Sequence, residues 1–314
     1  MTFTQIPPEY APLSGELRYT VTTQETATLD LRIADAGNGT LIGAKRFAGV
    51  TSASFDAAPY LRRTVAFVPT TGSTGFRMAD GRTVTAYIEA QAAQATGTAP
   101  TVHSPLRTFL PCRTNVTAFA LLTSMPLVRL ISHGESDELT LFSDEAVTVT
   151  VTAQSGTTTT AESYRTATGG LHVFRLDTRD FPEAETLTVD AGACGSVAYT
   201  VISAPTGARR LAWRSSAGGI EHYTFPVEKS ESVETIRQRA YGAEGHLVAR
   251  TRAERRTLEG LSEVLSSPDV WLAEDDGYTA VDVVTEKSVL HRHGAVTCLE
   301  IEIRPKRKTG MPWN

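Results

Sequence analysis

The sequence predicts a mainly β chain: two N-terminal β-sandwich domains followed by an α+β domain made of a barrel-like sheet and one helix. Three observations predict it. Apolar and polar residues alternate with period two from Glu16 to Ile33, and short strand signals separated by turn residues recur along the rest of the chain. Period-3.6 spacing is convincing in one stretch only, Glu254 to Ser266. At 314 residues the chain exceeds one small core, and 41% hydrophobic against 21% charged residues suits a protein that buries cores. We read three domains, 1–97, 98–204 and 205–314.

In the first domain Leu17, Tyr19 and Val21 alternate with Arg18, Thr20 and Thr22, then Leu29, Leu31 and Ile33 with Thr28, Asp30 and Arg32. Such spacing buries one strand face. Gly37-Asn38-Gly39 supplies the positive backbone angles of a hairpin turn before Thr40-Leu41-Ile42. Phe55 to Leu61 reads as a turn or helical corner, and Val65–Val68 and Val84–Ile88 as strands. The Ala, Thr and Gly-rich run from Gln91 to Thr101 has little to bury and reads as a linker.

The second domain repeats the pattern of short strands: Leu127–Ile131, Leu139–Phe142, Val147–Val151, His172–Leu176, Leu187–Val189 and Val197–Ile202. The polar run Ser155-Gly156-Thr157-Thr158-Thr159-Thr160 is expected at a flexible hairpin tip. In the third domain Leu211-Ala212-Trp213 and His222-Tyr223-Thr224-Phe225 flank Ser215 to Gly219 as a hairpin. Leu258, Leu261, Val264 and Leu265 share one helical face, with Pro268 beyond the end. Strands are expected at Val270–Leu272, Tyr278–Val284, Val289–Leu290 and Val296–Ile303.

Composition narrows the function. A net charge of -5 offers no basic field for nucleic acid. No apolar run approaches the roughly 18 residues of a membrane span, and Met1 to Gln5 lacks the basic-then-apolar pattern of a signal peptide, so neither insertion nor export is expected. Cys112, Cys194 and Cys298 form no C-x-x-C pair, which fits a reduced cytoplasmic origin.

Chemistry-bearing residue types are present without a catalytic signature. His133-Gly134-Glu135-Ser136-Asp137-Glu138 combines an imidazole with three carboxylates, but consecutive residues rarely converge on one ligand, and a solvated inter-strand turn is expected. His291 and His293 share a strand face without a third ligand at an interpretable spacing. Cys298 alternates with Val296 as a core residue would. Neither G-x-S-x-G, G-x-G-x-x-G nor G-x-x-x-x-G-K-[ST] occurs. Glu221, Asp275, Asp276 and Asp282 are the carboxylates that distant strands would have to bring together for glycoside hydrolysis, and they serve equally as surface charges. Arg304-Pro305-Lys306-Arg307-Lys308 reads as a solubilising end or subunit contact. No catalytic, metal-binding or cofactor-binding residue is assigned, and no cofactor is expected.

Two stretches carry a resemblance: Arg210 to Phe225, an aromatic hairpin around Ser215-Ser216-Ala217-Gly218-Gly219, and Thr257 to Val284, which contains Ser267-Pro268-Asp269-Val270-Trp271-Leu272. They resemble tail or baseplate structural proteins of phages and prophages of Bacteroidetes-type bacteria, over residues 205–314. The resemblance implies a non-enzymatic virion protein made in the host cytoplasm. It also implies assembly through the C-terminal domain with copies of itself and other tail proteins, and contact with a host surface glycan. Trp213, Tyr223 and Trp271 are the candidate interface or packing anchors. A glycan- or protein-binding adhesion module and a carboxylate-dependent glycoside hydrolase are the alternatives.

Overall fold

Backbone pairing is almost entirely between strands, as expected for the mainly β class. The computed structural model describes residues 1–93, 101–116, 118–235, 243–274, 277–285, 291–293 and 296–306. The chain divides into two compact units, Met1–Val68 with Met78–Ala118, and Pro69–Arg77 with Phe119–Asn314.

The first unit is built around the 18-residue strand Arg18–Asp35, which pairs along its length with Leu41–Asp56. Its opposite edge pairs first with Thr2–Gln5 and then with Val84–Ala93. Register shifts between Thr22 and Leu29 let the strand bend, so one seven-stranded sheet wraps its apolar face around a single core that includes Tyr19, Val21, Leu29, Leu31, Ile33 and Phe55. The Asp35 carboxylate accepts the backbone N–H groups of Gly37 and Asn38, and Gly39 takes φ +70°, which closes the expected hairpin. The corner near Phe55 is the short helix Ala58–Leu61.

Two expectations need correction here. Thr101–His103 and Arg107–Leu110 both hydrogen-bond to Val84–Ala93, so the first unit runs past the 97/98 boundary to Ala118. Val65–Val68 is not a strand: Ala66 N–H bonds the Gly81 carbonyl, Phe67 is buried and Val68 is exposed. Residues 94–100 of the expected linker lie outside the described residues.

In the second unit a four-stranded sheet (Gly75–Arg77, Gly170–Asp177, Ser136–Ser143, Phe119–Leu121) faces a five-stranded one (Val128–Ser132, Ser196–Ile202, Thr186–Asp190, Thr148–Ser155, Thr158–Arg165). Leu139, Leu141, Val149, Val151, Phe174, Leu187 and Tyr199 fill the space between them. Gly75–Arg77 therefore completes this sandwich rather than the first domain, against the reading of 1–97 as one domain. The run from Ser155 to Thr160 does lie at a hairpin tip: Gly156, at φ +55°, and Thr157 make the turn between the paired residues Ser155 and Thr158, and Thr158–Thr160 begin an exposed strand.

An eight-stranded sheet follows, and it nearly closes into a barrel. Its terminal strands, Ile220–Phe225 and Val227–Thr235, are separated by Pro226 alone in the chain yet stand at opposite ends of the pairing order. Tyr223 Oη lies 2.9 Å from Thr251 Oγ1 across the closing side. The helix Arg255–Leu261 continues as the 3-10 turn Ser262–Ser266 and sends Leu258, Leu261 and Val264 into the barrel core with Trp213, Phe225 and Ile301. The expected strand Val289–Leu290 falls outside the described residues.

Two glycines let the barrel lie directly on the segment that leads into the sandwich. A Cβ at Gly219 would stand 2.8 Å from Thr140 Oγ1 and 2.9 Å from the Leu122 carbonyl, and one at Gly260 would stand 2.9 Å from the Ser124 carbonyl. Gly219→Ala should cost about 1–3 kcal/mol in urea denaturation, while Gly277→Ala, with open space around its added methyl, should leave the midpoint unchanged.

Candidate functional site

Polar burial in the second unit centres on the start of the Ser136–Ser143 strand. Every residue of that strand is buried, because the sandwich core covers one side and the Gly219 hairpin approaches Thr140 on the other. Asp137 and Glu138 are thereby carried inside, at 2% and 1% exposure, which overturns the expected solvated turn. Only His133 to Glu135 form a turn, with Gly134 at φ +83° and Glu135 N–H on the Ser132 carbonyl.

A buried carboxylate needs compensation. Asp137 Oδ2 accepts Arg129 Nη1 at 2.8 Å and Tyr199 Oη at 2.9 Å, and its Oδ1 lies 3.4 Å from His222 Nδ1. Arg129 also donates to the Pro126 carbonyl and to Thr123 Oγ1, and stands 3.4 Å from Glu221 Oε2. Glu221 comes from the barrel hairpin and accepts the Ser124 N–H at 2.9 Å. One guanidinium thus bridges a carboxylate of the sandwich and a carboxylate of the barrel.

Arg210 repeats the device. It donates twice to the Ser136 carbonyl and once each to Glu135 and Thr224, while the Thr224 hydroxyl bonds Glu135 at 2.7 Å. Tyr278 Oη joins His222 Nε2 at 3.1 Å and Arg175 Nη1 at 3.4 Å. Glu263 accepts from Ser124 Oγ and from Ser216 N and Oγ. Glu138 accepts from the backbone and hydroxyl of Thr70.

The charge states follow from burial set against pairing. Burial alone pushes Asp137 upward, but Arg129 and His222 outweigh it and hold the carboxyl well below its usual range. Burial pushes Glu221 up despite Arg129, and pushes His222 down despite Asp137. Tyr199 is held well above its ordinary value by burial and by the Asp137 charge.

Beside this network opens a cleft of about 880 Å³. Among the described residues its lining carries the guanidiniums of Arg175, Arg179, Arg209 and Arg210, the carboxylates of Glu135 and Glu274, and His133 and Tyr278. Of these, Arg175 is buried and bonded to the Gly72 and Thr70 carbonyls, while the exposed Arg179 grips Asp177 through two nitrogens. Four guanidiniums against two carboxylates give the lining a positive balance that suits an oxyanion-bearing ligand.

The structure scatters the other sequence candidates. Trp213 is fully buried in the barrel core, Tyr223 is half-buried beside Phe225, and Trp271 is half-buried on the Val270–Glu274 strand. Asp282 stands 3.7 Å from Arg304 near the surface, far in character from buried Glu221, and Asp275 and Asp276 lie outside the described residues. The His291–His293 strand pairs with Val296–Cys298, and its side chains lie outside the described residues, as do residues 307–314 of the basic end. All three thiols are free, and no group of three metal-ligating side chains occurs among the described residues. Among those residues no helix is long and apolar enough to cross a membrane.

No family model matches the chain. No curated protein matches it either. Among solved structures it is similar to a complex of Dpr2 Ig1-Ig2 with DIP-Theta Ig1-Ig3, at 9% identity and TM-score 0.23 over 98% of this chain and 90% of the other. It is similar to trypsin-activated alpha-2-macroglobulin from Escherichia coli, at 8% identity and TM-score 0.24 over 97% of this chain and 23% of the other. A marsupial T cell receptor gives 7% identity and TM-score 0.19 over 98% and 94%. At scores this low no role passes from these proteins to this chain.

Arg129→Met should destabilise the protein by about 3–5 kcal/mol in chemical denaturation, because it strands two buried carboxylates. His222 has a lowered folded pKa, so its contribution is complete above its ordinary 6.5 and is lost as pH falls through the folded value. Asp137 has the same sign below its ordinary 3.8, whereas the raised Glu221 has the opposite sign above 4.5. Between pH 7 and 5 the His222 and Glu221 contributions oppose one another, so thermal melts of His222→Gln should lose the component that falls with pH and show a midpoint that rises towards pH 5 relative to the parent protein.

Proposed function

We propose that this protein is a non-enzymatic structural subunit of a phage tail or baseplate, made in the bacterial cytoplasm and carried on the virion. The observation that carries the reading is the ion network joining sandwich to barrel in the second unit. Arg129 with Asp137 and Glu221, and Arg210 with Glu135 and Thr224, spend their polar groups on one another across that junction. Such a junction transmits load between two β-bodies without hinging, which a tail component requires. The hairpin and helix of residues 210–225 and 257–284 that resemble tail proteins supply the barrel half of it. Since the barrel is tied to the sandwich, the assembling part is the whole second unit rather than residues 205–314 alone.

A second reading, a glycan-binding module, is favoured by the cleft, whose lining among the described residues holds four guanidiniums against two carboxylates, a charge balance that suits an acidic saccharide. Negative-stain electron microscopy and light scattering of the full chain over a concentration series separate the two. Closed, symmetric oligomers are expected. A chain that stays monomeric throughout and takes up a uronic-acid oligosaccharide would displace the tail reading in favour of the second.

A further inference from the structure

Val128–Ser132 is the terminal strand of the five-stranded sheet, and its one partner among the described strands is Ser196–Ile202, which it pairs in parallel. In a parallel ladder alternate residues turn both backbone groups toward the same neighbour. Here the Leu127 carbonyl accepts from Ala198 N–H and His133 N–H donates to the Ile202 carbonyl, so residues 127, 129, 131 and 133 face the partner strand. Val128, Leu130 and Ser132 consequently direct their N–H and C=O groups to the open edge. Ser132 is already engaged there, since its N–H reaches Glu135 Oε2 at 3.0 Å and its carbonyl accepts from Thr178 Oγ1. That leaves two residues with outward-facing backbone.

The same two residues carry the exposed apolar side chains of the edge: Val128 is 75% and Leu130 67% exposed, with Leu127 beside them at 41%. Natural edge strands usually carry charge, proline or a bulge at such places. This edge carries none of them on its outer face, and the adjoining outward positions are Ala198 and Thr200.

We propose that this edge pairs with the same edge of a second copy, antiparallel about a two-fold axis at Arg129. The register sets Val128 opposite Leu130 of the partner subunit and Leu130 opposite Val128 of the partner subunit, so both residues with outward-facing backbone form doubly hydrogen-bonded pairs. Apolar side chains from the two copies then adjoin on one sheet face. Self-complementarity selects the occupant: a two-residue window flanked by engaged groups matches itself under two-fold symmetry. Charge does not oppose the contact, because each Arg129 at the axis points inward and is flanked by Asp137 and Glu221. The inference goes beyond the tail reading, since it follows from strand geometry wherever the protein resides.

Light scattering and amide hydrogen exchange of the full chain across a concentration series test it. A dimer is expected, with exchange at Val128 and Leu130 slowing as concentration rises. Leu130→Lys should weaken association by at least about tenfold, from a charge set against the apolar Val128 of the partner subunit, like charges diagonal across the axis and lost apolar contact, and leave the thermal midpoint of the monomer in place because the side chain is exposed. A monomer at every concentration would overturn the pairing. So would an oligomer that Leu130→Lys leaves intact with exchange at the edge unchanged, and that outcome would still leave the structural reading standing.

Discussion

The second unit depends on a single buried cation. Arg129 sits on the sandwich edge strand, yet the groups it satisfies come from that strand's approach, from Ser136–Ser143 and from the barrel hairpin. Removed from water, the guanidinium and its two carboxylates hold their charge only while all three remain together. Sandwich and barrel are therefore not independent bodies: separating them would take Glu221 from its counter-ion Arg129 and His222 from Asp137.

Packing is arranged to keep that contact dry. Gly219 and Gly260 bring backbone against backbone where any side chain would hold the two bodies apart, and Glu263 ties Ser124 to Ser216 over the same seam. Tyr199 and His222 close the remaining sides of Asp137, each as a neutral partner. Close approach and charge pairing reinforce one another, since each atom-scale gap would admit water and weaken the ion pairs.

Much of the fold was legible because its local rules are unmixed. The Gly37-Asn38-Gly39 turn, the Arg209–Arg214 and Ile220–Phe225 hairpin and the helix from Arg255 each stand on one period and one set of turn residues. The site was not legible, for two physical reasons. Asp137 and Glu138 look like turn residues because a strand covered on both faces loses the alternation by which strands are recognised. Arg129 has no local mark at all, since its partner Glu221 reaches it only through tertiary packing. The linker reading around Gln91 failed differently: a small-residue run looked as if it ended the first domain, while the strands beyond it hydrogen-bond backward to Val84–Ala93.

The loan of Gly75–Arg77 to the later sandwich sets a timetable for the chain during synthesis. Thr74 exchanges hydrogen bonds with Asp177, 103 residues downstream, so the ribosome releases this strand long before its partners exist. Residues 78–118 must meanwhile return to finish the first unit, which leaves 69–77 as a loop held at both ends by a body already folded. That body thus serves as a tether, presenting a waiting strand at high local concentration to the sandwich as it emerges. The two units are threaded through one another's sequence, and a protease or a recombination event that cut the chain once between them would separate neither cleanly.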